Sequence, residues 1–351
     1  MRRGLVLRRR VVLAGVLLLA MAGCADGAAA PTAATTPAGP GGTPDGAAAT
    51  APVGSSRQTP AEIDRTLASL RRVDDLPLYE MTYTGDYDPT TGLDPAPTSP
   101  FGCSLFVASG DRDRPLFARN FDWDPHPAML LRTDPPDGYA SVSVVDLHYL
   151  GIDGAPQPGD RRLLDAPLLP FDGMNERGLA IGLAADDTAT ATPEPGKPKV
   201  GSVRIQRLVL DQAATVDEAV AIFGRYNLDF EGGPPLHYLL ADASGASAVV
   251  EFVDGRMRVQ RGTGPWQALT NVPVIGVPAD KLRTDRRYAT IEAALTRSGG
   301  RADATAALGI LTDVAQSHTR WSVTYELRTG AVRLVAGQRW AKTYQFQLAG
   351  S

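Results

Sequence analysis

Cysteine is scarce in this chain of 351 residues and occurs only at Cys24 and Cys103. The sequence contains neither a Cys-x-x-Cys nor a His-Glu-x-x-His motif. Histidine is also rare, and metal-ligand spacing is absent among His126, His148, His237 and His318. The sequence therefore predicts no metal site and no cofactor.

Clusters of basic residues are absent outside the N-terminal segment, and the formal net charge of the whole chain is only -4. This near balance argues against a nucleic-acid partner. The sequence also lacks a Gly-x-Ser-x-Gly elbow and a phosphate-cradling glycine loop. Their absence disfavours a serine hydrolase or a nucleotide-dependent enzyme.

Arginines at the start of the chain precede an apolar run, Val11–Ala22, that is too short to span a membrane. The run closes on Ala20-Met21-Ala22-Gly23-Cys24, which resembles the bacterial lipoprotein box. Residues 1–24 are therefore predicted to be a lipoprotein signal peptide, with Cys24 lipidated and the exported protein anchored to the outer face of the bacterial cell membrane. An ordinary secretory signal is the alternative, and Arg9-Arg10 leaves the general and twin-arginine export routes both open.

The remainder of the chain divides into three parts by composition. Residues 25–58 are almost entirely Ala, Pro, Gly and Thr, which predicts a disordered tether. Residues 59–102 open with the capping box Thr59-Pro60-Ala61-Glu62 and are predicted to form a propeptide-like segment of helix and strand. Residues 103–351 have the length of one domain, and strands followed by helices and then strands indicate an α+β fold.

If Cys24 is lipidated, Cys103 is the one remaining cysteine, and its presence in an exported chain needs a separate explanation. A lone cysteine in an exported chain is a reactive group, a buried apolar residue or half of an intermolecular bridge. The runs that follow it resemble the choloylglycine hydrolase family of linear amide C–N hydrolases and the related isopenicillin-N acyltransferase-like proteins. In chain order they are Phe117–Trp123, Asp172–Leu179, Leu236–Tyr238 with Val249–Glu251, Leu269–Asn271 and Arg287-Tyr288. The resemblance implies an N-terminal-nucleophile (Ntn) hydrolase: an αββα sandwich with two antiparallel sheets between helix layers.

The resemblance also implies roles around the nucleophile. Cys103 would attack the substrate, and its own α-amine would be the general base once self-cleavage at Gly102–Cys103 exposes it. An α-amine suits this task because its reference pKa is about 7.7–8.0. Arg119 would favour the thiolate, and Asp122 would orient the α-amine. A purely structural ion pair between Arg119 and Asp122 is the alternative.

Further roles follow from the later runs. Asn271 matches the side-chain donor of the oxyanion hole, with a backbone N–H near Ala185 as its partner. The family has an Asn after its Gly-Leu run, whereas Gly182-Leu183 is followed here by Ala184. Arg287 matches an arginine that places charge near the cysteine. Read without its context, Asn271 is equally a turn former.

The predicted function is hydrolysis of a non-peptide linear C–N amide bond in a small molecule. An N-acyltransferase and a non-catalytic lipoprotein that binds a ligand on the same scaffold are the alternatives. The expected partners are an amide substrate and the membrane, reached through the anchor at Cys24. The sequence leaves open which amide is cleaved, although the loop Asp187–Lys199 is a candidate for specificity, and it leaves the oligomeric state open.

Overall fold

The structure is a computed structural model that describes residues 54–91, 101–230 and 234–348. The predicted signal peptide, Cys24 and most of the predicted tether lie outside these residues. Within the described ranges, no helix has the length and apolar character needed to cross a membrane.

The larger sheet has nine strands among the described residues, in the order β1-β2-β5-β6-β7-β8-β11-β12-β13. All neighbours are antiparallel except β2 and β5, which run parallel. The strands are β1 Arg71–Asp74, β2 Leu78–Thr82, β5 Ala128–Thr133, β6 Ser141–Asp146, β7 Asp172–Asn175, β8 Ala180–Ala185, β11 Leu236–Ala241, β12 Ser247–Val253 and β13 Arg256–Arg261.

The smaller sheet has six antiparallel strands in the order β14-β3-β4-β15-β16-β17. They are β3 Gly102–Ala108, β4 Leu116–Asp122, β14 Trp266–Leu269, β15 Thr319–Glu326, β16 Ala331–Ala336 and β17 Tyr344–Gln347. A separate parallel pair joins β9 Lys199–Gly201 to β10 Asn227–Asp229.

Six α-helices and two 3-10 helices complete the described elements. The α-helices are α1 Pro60–Ala68, α2 Ile205–Gln212, α3 Val216–Arg225, α4 Ala279–Leu282, α5 Arg286–Ser298 and α6 Ala304–Asp313. The 3-10 helices are Leu147–Leu150 and Arg161–Leu168. Side-chain caps define where helices α1 and α3 begin, because Thr59 and Thr215 form complete capping boxes with Glu62 and Glu218.

The two sheets pack face to face, and helices cover the outer face of each. Helices α2 and α3 contact strands of the larger sheet, whereas α5 and α6 contact the smaller one, where Phe106, Ile291 and Leu311 form a separate apolar layer. Between the sheets, β8 approaches β3 so closely that a Cβ at Gly182 would lie 2.7 Å from Leu105 Cδ2. The predicted αββα sandwich is confirmed.

The segment before Cys103 is built into this domain. Strand β2 lies parallel to β5 inside the nine-stranded sheet, and its Leu78 and Met81 side chains are buried. The Tyr87 hydroxyl donates to Asp211 Oδ1 at 2.8 Å. The described end of the predicted tether also contacts the domain, because the backbone N–H and the hydroxyl of Ser55 both donate to Asp165 Oδ1 at 2.9 Å.

A buried carboxylate ties the same segment to the end of the chain. Asp74, at the end of β1, lies against the region that leads into β17. It accepts hydrogen bonds from Leu76 N, Arg339 Nη1, Lys342 Nζ and Tyr344 Oη. Burial opposes its ionisation, but these donors outweigh burial and lower the pKa of Asp74 to about 2.

Candidate active site

Cys103 lies near the start of β3, beside the neighbouring strand β4. Cys103 pairs with Phe121 and Leu105 with Arg119, so the cysteine and the arginine project from the same face of the smaller sheet. That face meets the larger sheet, and Cys103 is fully buried. The β3–β4 pairing therefore brings Arg119 to the Cys103 thiol.

The Arg119 guanidinium is held between the thiol and a carboxylate. Its Nη2 lies 2.9 Å from Cys103 Sγ, and its Nη1 donates to Asp172 Oδ2 at 3.0 Å and to Phe171 O at 2.9 Å. Asp172 also accepts from Trp321 Nε1 at 2.9 Å. Because every group is buried, these bonds fix the guanidinium in one orientation.

The proposed ion pair between Arg119 and Asp122 is not what the structure shows. Three positions separate them along β4, which places their side chains on opposite faces of the strand. The structure pairs Arg119 with Asp172 instead. Asp172 lies in one of the family runs, but the sequence indicated no role for it, because its partner Arg119 is 53 residues away.

Asp122 lies against Gly102, the residue that precedes Cys103. Its Oδ1 accepts from Thr319 Oγ1 at 2.5 Å, and its Oδ2 accepts from Gln316 Nε2 at 2.7 Å. A Cβ at Gly102 would lie 3.1 Å from Asp122 Cβ and 2.5 Å from Gln316 Nε2. Glycine at position 102 thus allows the main chain to pass close to this carboxylate.

Arg287 reaches the same place from helix α5. Its Nη1 donates to the carbonyl oxygen of Cys103 at 2.7 Å and lies 3.7 Å from Asp122 Oδ2. The residue is thus near the cysteine, as the resemblance implied, and it contacts the backbone of Cys103. Its charge-placing role remains a prediction.

Asn271 contacts the main chain on both sides of Gly102. Its Oδ1 accepts the backbone N–H of Cys103 at 2.7 Å, and its Nδ2 donates to Ala185 O at 2.9 Å and Phe101 O at 3.3 Å. The amide orientation is fixed because one partner donates and two accept. Ala185 thus presents its carbonyl to Asn271, and the predicted N–H contribution of Ala185 to an oxyanion hole remains a prediction.

A buried pair that the sequence did not single out supports the segment carrying Asn271. His237 Nε2 lies 2.8 Å from Thr270 O, and its Nδ1 lies 3.3 Å from Glu251 Oε1. The carboxylate also accepts from Val274 N at 2.7 Å and Ile275 N at 3.0 Å. Burial raises the pKa of Glu251, but these hydrogen bonds outweigh burial and bring it below its usual value.

Burial has the largest effect on the pKa of the Cys103 thiol. It raises the pKa of the Cys103 thiol to about 12, and the nearby Arg119 cation only partly offsets this rise. Desolvation is the larger effect and favours the neutral thiol. The predicted role of Arg119 in favouring the thiolate remains a prediction.

Phe101 fills an aromatic cage next to the thiol. Its ring centroid lies 5.2 Å from that of Phe121, 5.9 Å from that of Trp123 and 5.9 Å from that of Phe171. Only 3% of Phe101 is exposed. The residue before Gly102 therefore covers the site next to Cys103.

The model of the linear amide C–N hydrolases, choloylglycine hydrolase family, matches residues 103–275. The matched part of the chain, residues 103–275, belongs to this family. The matched residues begin at Cys103 and contain Arg119, Asp122, Asp172 and Asn271. The sequence-based assignment to the choloylglycine hydrolases is thereby confirmed.

Individual relatives agree with the family and the fold. A penicillin V acylase from Pectobacterium atrosepticum is 34% identical over 113 residues, a stretch covering 29% of this chain and 30% of that relative's length. A conjugated bile acid hydrolase variant from Clostridium perfringens superposes with a TM-score of 0.52 and 16% identity, covering 70% of this chain and 92% of the other. A penicillin V acylase from Agrobacterium tumefaciens gives a TM-score of 0.50 and 18% identity, covering 70% and 86%. At these identities the two structures show the shared fold.

Proposed function

We propose that this protein is an amidohydrolase that cleaves a linear C–N amide bond in a small molecule, with Cys103 as an N-terminal nucleophile. The contact between Cys103 Sγ and Arg119 Nη2 at 2.9 Å, inside a family of linear amide hydrolases, is the observation that carries the proposal. Asn271 and Arg287 bond the backbone of the same cysteine, so the polar groups converge on one residue.

Self-cleavage prepares the nucleophile. The Cys103 thiol attacks the carbonyl carbon of Gly102, the C–N bond to Cys103 breaks, and the thiol proton passes to the departing nitrogen. Water then hydrolyses the thioester, which releases a carboxylate at Gly102 and restores the thiol. The absence of a side chain at Gly102 supports this step, because the main chain must distort beside Asp122.

Cleavage also changes the surroundings of Cys103. When Phe101 and Gly102 move away, the thiol gains contact with water, and the desolvation that raises its pKa diminishes. The Nδ2 group of Asn271 loses its Phe101 partner and becomes available to a substrate oxygen. Its Oδ1, which accepts the N–H of Cys103 before cleavage, is placed to orient the new α-amine.

Amide hydrolysis then follows from these groups. The α-amine takes the thiol proton while sulfur attacks the substrate carbonyl, and Asn271 Nδ2 stabilises the negative oxygen that develops. Collapse of this intermediate expels the amine product, which takes up the proton. Water hydrolyses the remaining thioester and frees the acyl product.

The space that Phe101 leaves is the proposed site for the acyl group of the substrate. Phe121, Trp123 and Phe171 line it, and all three are buried. Such a cage favours a bulky apolar acyl group, because burying a large apolar side chain is worth about 1.5–3 kcal/mol. The amine side of the substrate is not defined by these contacts.

We further propose that the cut N-terminal segment remains bound and holds the enzyme at a lipid anchor on Cys24. The parallel pairing of β2 with β5 and the Asp74 contacts support retention, since none of them requires an intact Gly102–Cys103 bond. Lipidation of Cys24 and export rest on the sequence alone. Equal fatty-acid labelling of the wild type and of Cys24→Ala would refute the anchor.

The deciding experiment measures chain mass and amide turnover in the same preparations. Wild type should yield a chain that begins at Cys103 and should release amine from a panel of N-acyl amides, tested with and without acceptor amines. Cys103→Ala should stay whole and inactive, whereas Cys24→Ala is the matched control, losing the other cysteine but keeping turnover. Full turnover by the uncut chain would remove the α-amine from the mechanism, and turnover by Cys103→Ala would exclude the nucleophile.

A further inference from the structure

Two histidines that lie 22 positions apart in sequence meet at one end of the nine-stranded sheet. His126 precedes β5, and His148 lies in the 3-10 helix that follows β6. These strands are antiparallel, with Ala128 opposite Asp146, so the residue before one strand and the residue after the other share an edge. The histidine rings stack with centroids 4.2 Å apart and planes 11° apart.

A carboxylate completes the group. Asp153 Oδ1 lies 2.5 Å from His148 Nδ1, and potential ligand atoms of His126, His148 and Asp153 all lie within 4.8 Å of one another. Spacing along the chain did not reveal this group, because its members belong to separate segments that the β5–β6 pairing brings together.

We propose that His126, His148 and Asp153 form a zinc-binding site. Two imidazoles and one carboxylate are a donor set that suits Zn²⁺, whereas Mg²⁺ and Ca²⁺ prefer oxygen ligands alone. Three protein ligands leave a fourth tetrahedral position for water or an exogenous ligand. The site is separate from Cys103 and does not depend on the proposed amidase activity.

An unsatisfied nitrogen supports the site. His126 Nδ1 is shielded from solvent and has no hydrogen-bond partner among the described residues. Asp146 Oδ2 lies 3.6 Å from it, too far for a hydrogen bond. Metal-bound histidines usually donate their second ring N–H to a carboxylate, so Asp146 is placed to become that partner while Nε2 of His126 binds zinc.

The side chains must rearrange to hold an ion. Tetrahedral Zn–N and Zn–O bonds of about 2.0–2.1 Å place ligand atoms roughly 3.4 Å apart. His148 Nδ1 and Asp153 Oδ1 must therefore move apart from 2.5 Å, whereas any ligand pair separated by more, up to 4.8 Å, must draw together. The two stacked rings must also tilt, since nitrogen lone pairs in parallel planes do not converge. The His148 and Asp153 side chains are 31% and 72% exposed, which leaves them free to make this adjustment.

Trp123 links this group to the proposed acyl site. Its ring meets His126 and His148 edge-on, with centroids 4.7 Å and 5.4 Å away, and it also contacts Phe101. A bound metal would therefore lie beside one wall of the aromatic cage. The chain has four tryptophans, so a fluorescence change on metal binding that is absent in Trp123→Phe gives a local readout that is independent of catalysis.

The test is a titration of the full-length chain carrying Cys24→Ala and Cys103→Ala, so that no thiolate contributes a ligand. Calorimetry with Zn²⁺ should show one equivalent bound, and Co²⁺ should give the intense visible absorption of a tetrahedral site together with tryptophan quenching. Replacing a ligand, in His148→Ala or Asp153→Asn, should weaken binding at least about 10-fold.

His318→Ala is the matched control, because His318 is an exposed histidine outside the group. Its Zn²⁺ affinity should equal that of the parent chain, and circular dichroism should show that each variant is folded. Absence of stoichiometric binding would overturn the proposal and leave a hydrogen-bonded His–Asp pair. Unchanged binding by both ligand variants, or an equal loss in His318→Ala, would overturn it as well.

Discussion

Asp172 and Cys103 contact different nitrogens of the Arg119 guanidinium. Arg119 Nη2 is 2.9 Å from Cys103 Sγ, and Nη1 is 3.0 Å from Asp172 Oδ2. Both residues are fully buried, so the cation at the thiol has a counterion that water does not reach. The charge of Arg119 is thus balanced while one face of it remains available to sulfur.

Asp172→Asn should destabilise the fold strongly, because it leaves the Arg119 cation buried without a counterion. Breaking one partner of a buried pair costs about 3–5 kcal/mol of unfolding free energy, measured by urea denaturation. Tyr325→Phe is the control, since it removes one hydrogen bond to Asp172 and keeps the charge pair, with an expected loss of about 1.5–3 kcal/mol. Equal losses in the two variants would contradict the importance of the charge.

Asn271→Ala should lower kcat of the mature enzyme about 10²–10³-fold and change KM little, because its Nδ2 group would act on charge that develops in the transition state. Asn271→Asp keeps an acceptor for the Cys103 amine and loses the donor, so it should be similarly slow. Steady-state kinetics on chains of verified N-terminus separates this effect from a defect in processing. A raised KM with unchanged kcat would assign Asn271 to substrate binding instead.

Gly102→Ala should slow self-cleavage, because the added Cβ would lie 2.5 Å from Gln316 Nε2 and 3.1 Å from Asp122 Oδ2. The variant must displace Gln316 and so weaken the hydrogen bond of that side chain to Asp122. Time-resolved mass spectrometry of the newly made chain measures the cut fraction. Gly154→Ala is the control, since a Cβ there has nothing within 4 Å. Self-cleavage of Gly102→Ala at the wild-type rate would show that the close contacts at position 102 do not matter for cleavage.

Retention of the cut segment should depend on pH through Asp74. Its pKa lies at about 2, below the ordinary value of about 3.9, so its stabilising contribution is present above pH 4 and is lost as pH falls toward 2. Size-exclusion chromatography of the cut protein should show the segment bound at neutral pH and less tightly bound in acid. Asp74→Asn should weaken retention of the cut segment at neutral pH. Asp75→Asn, which changes an exposed neighbour, should not weaken it. Identical retention in the two variants would exclude Asp74 as the residue that holds the segment.

Local patterns in the sequence predicted many elements well. The capping box at Thr59 starts a helix, and the family run Leu236–Tyr238 with Val249–Glu251 lies in the β11–β12 hairpin. Each of these depends on residues close together in the chain. The family runs also brought Cys103, Arg119, Asp122, Asn271 and Arg287 into one prediction, and the structure places all five near each other.

Contacts between distant segments were not predictable in the same way. Strands β2 and β5 pair in parallel although Cys103 lies between them in the sequence. The partner of Arg119 is Asp172 rather than Asp122, which is closer in the sequence. Likewise, the pKa of Cys103 depends on how deeply the thiol is buried, which no local pattern gives. These features arise when distant segments pair and the two sheets pack. The sequence of a single strand therefore does not predict them.

The burial of Cys103 has a chemical consequence for the proposed maturation. Oxidation to sulfenic acid needs thiolate character and access to the oxidant, and burial removes the access while it raises the pKa of the thiol to about 12. If the chain is exported and cut as proposed, the precursor would therefore resist oxidation, and redox sensitivity would begin with the exposure that makes Cys103 reactive. Peroxide should then inactivate the cut enzyme and spare its precursor.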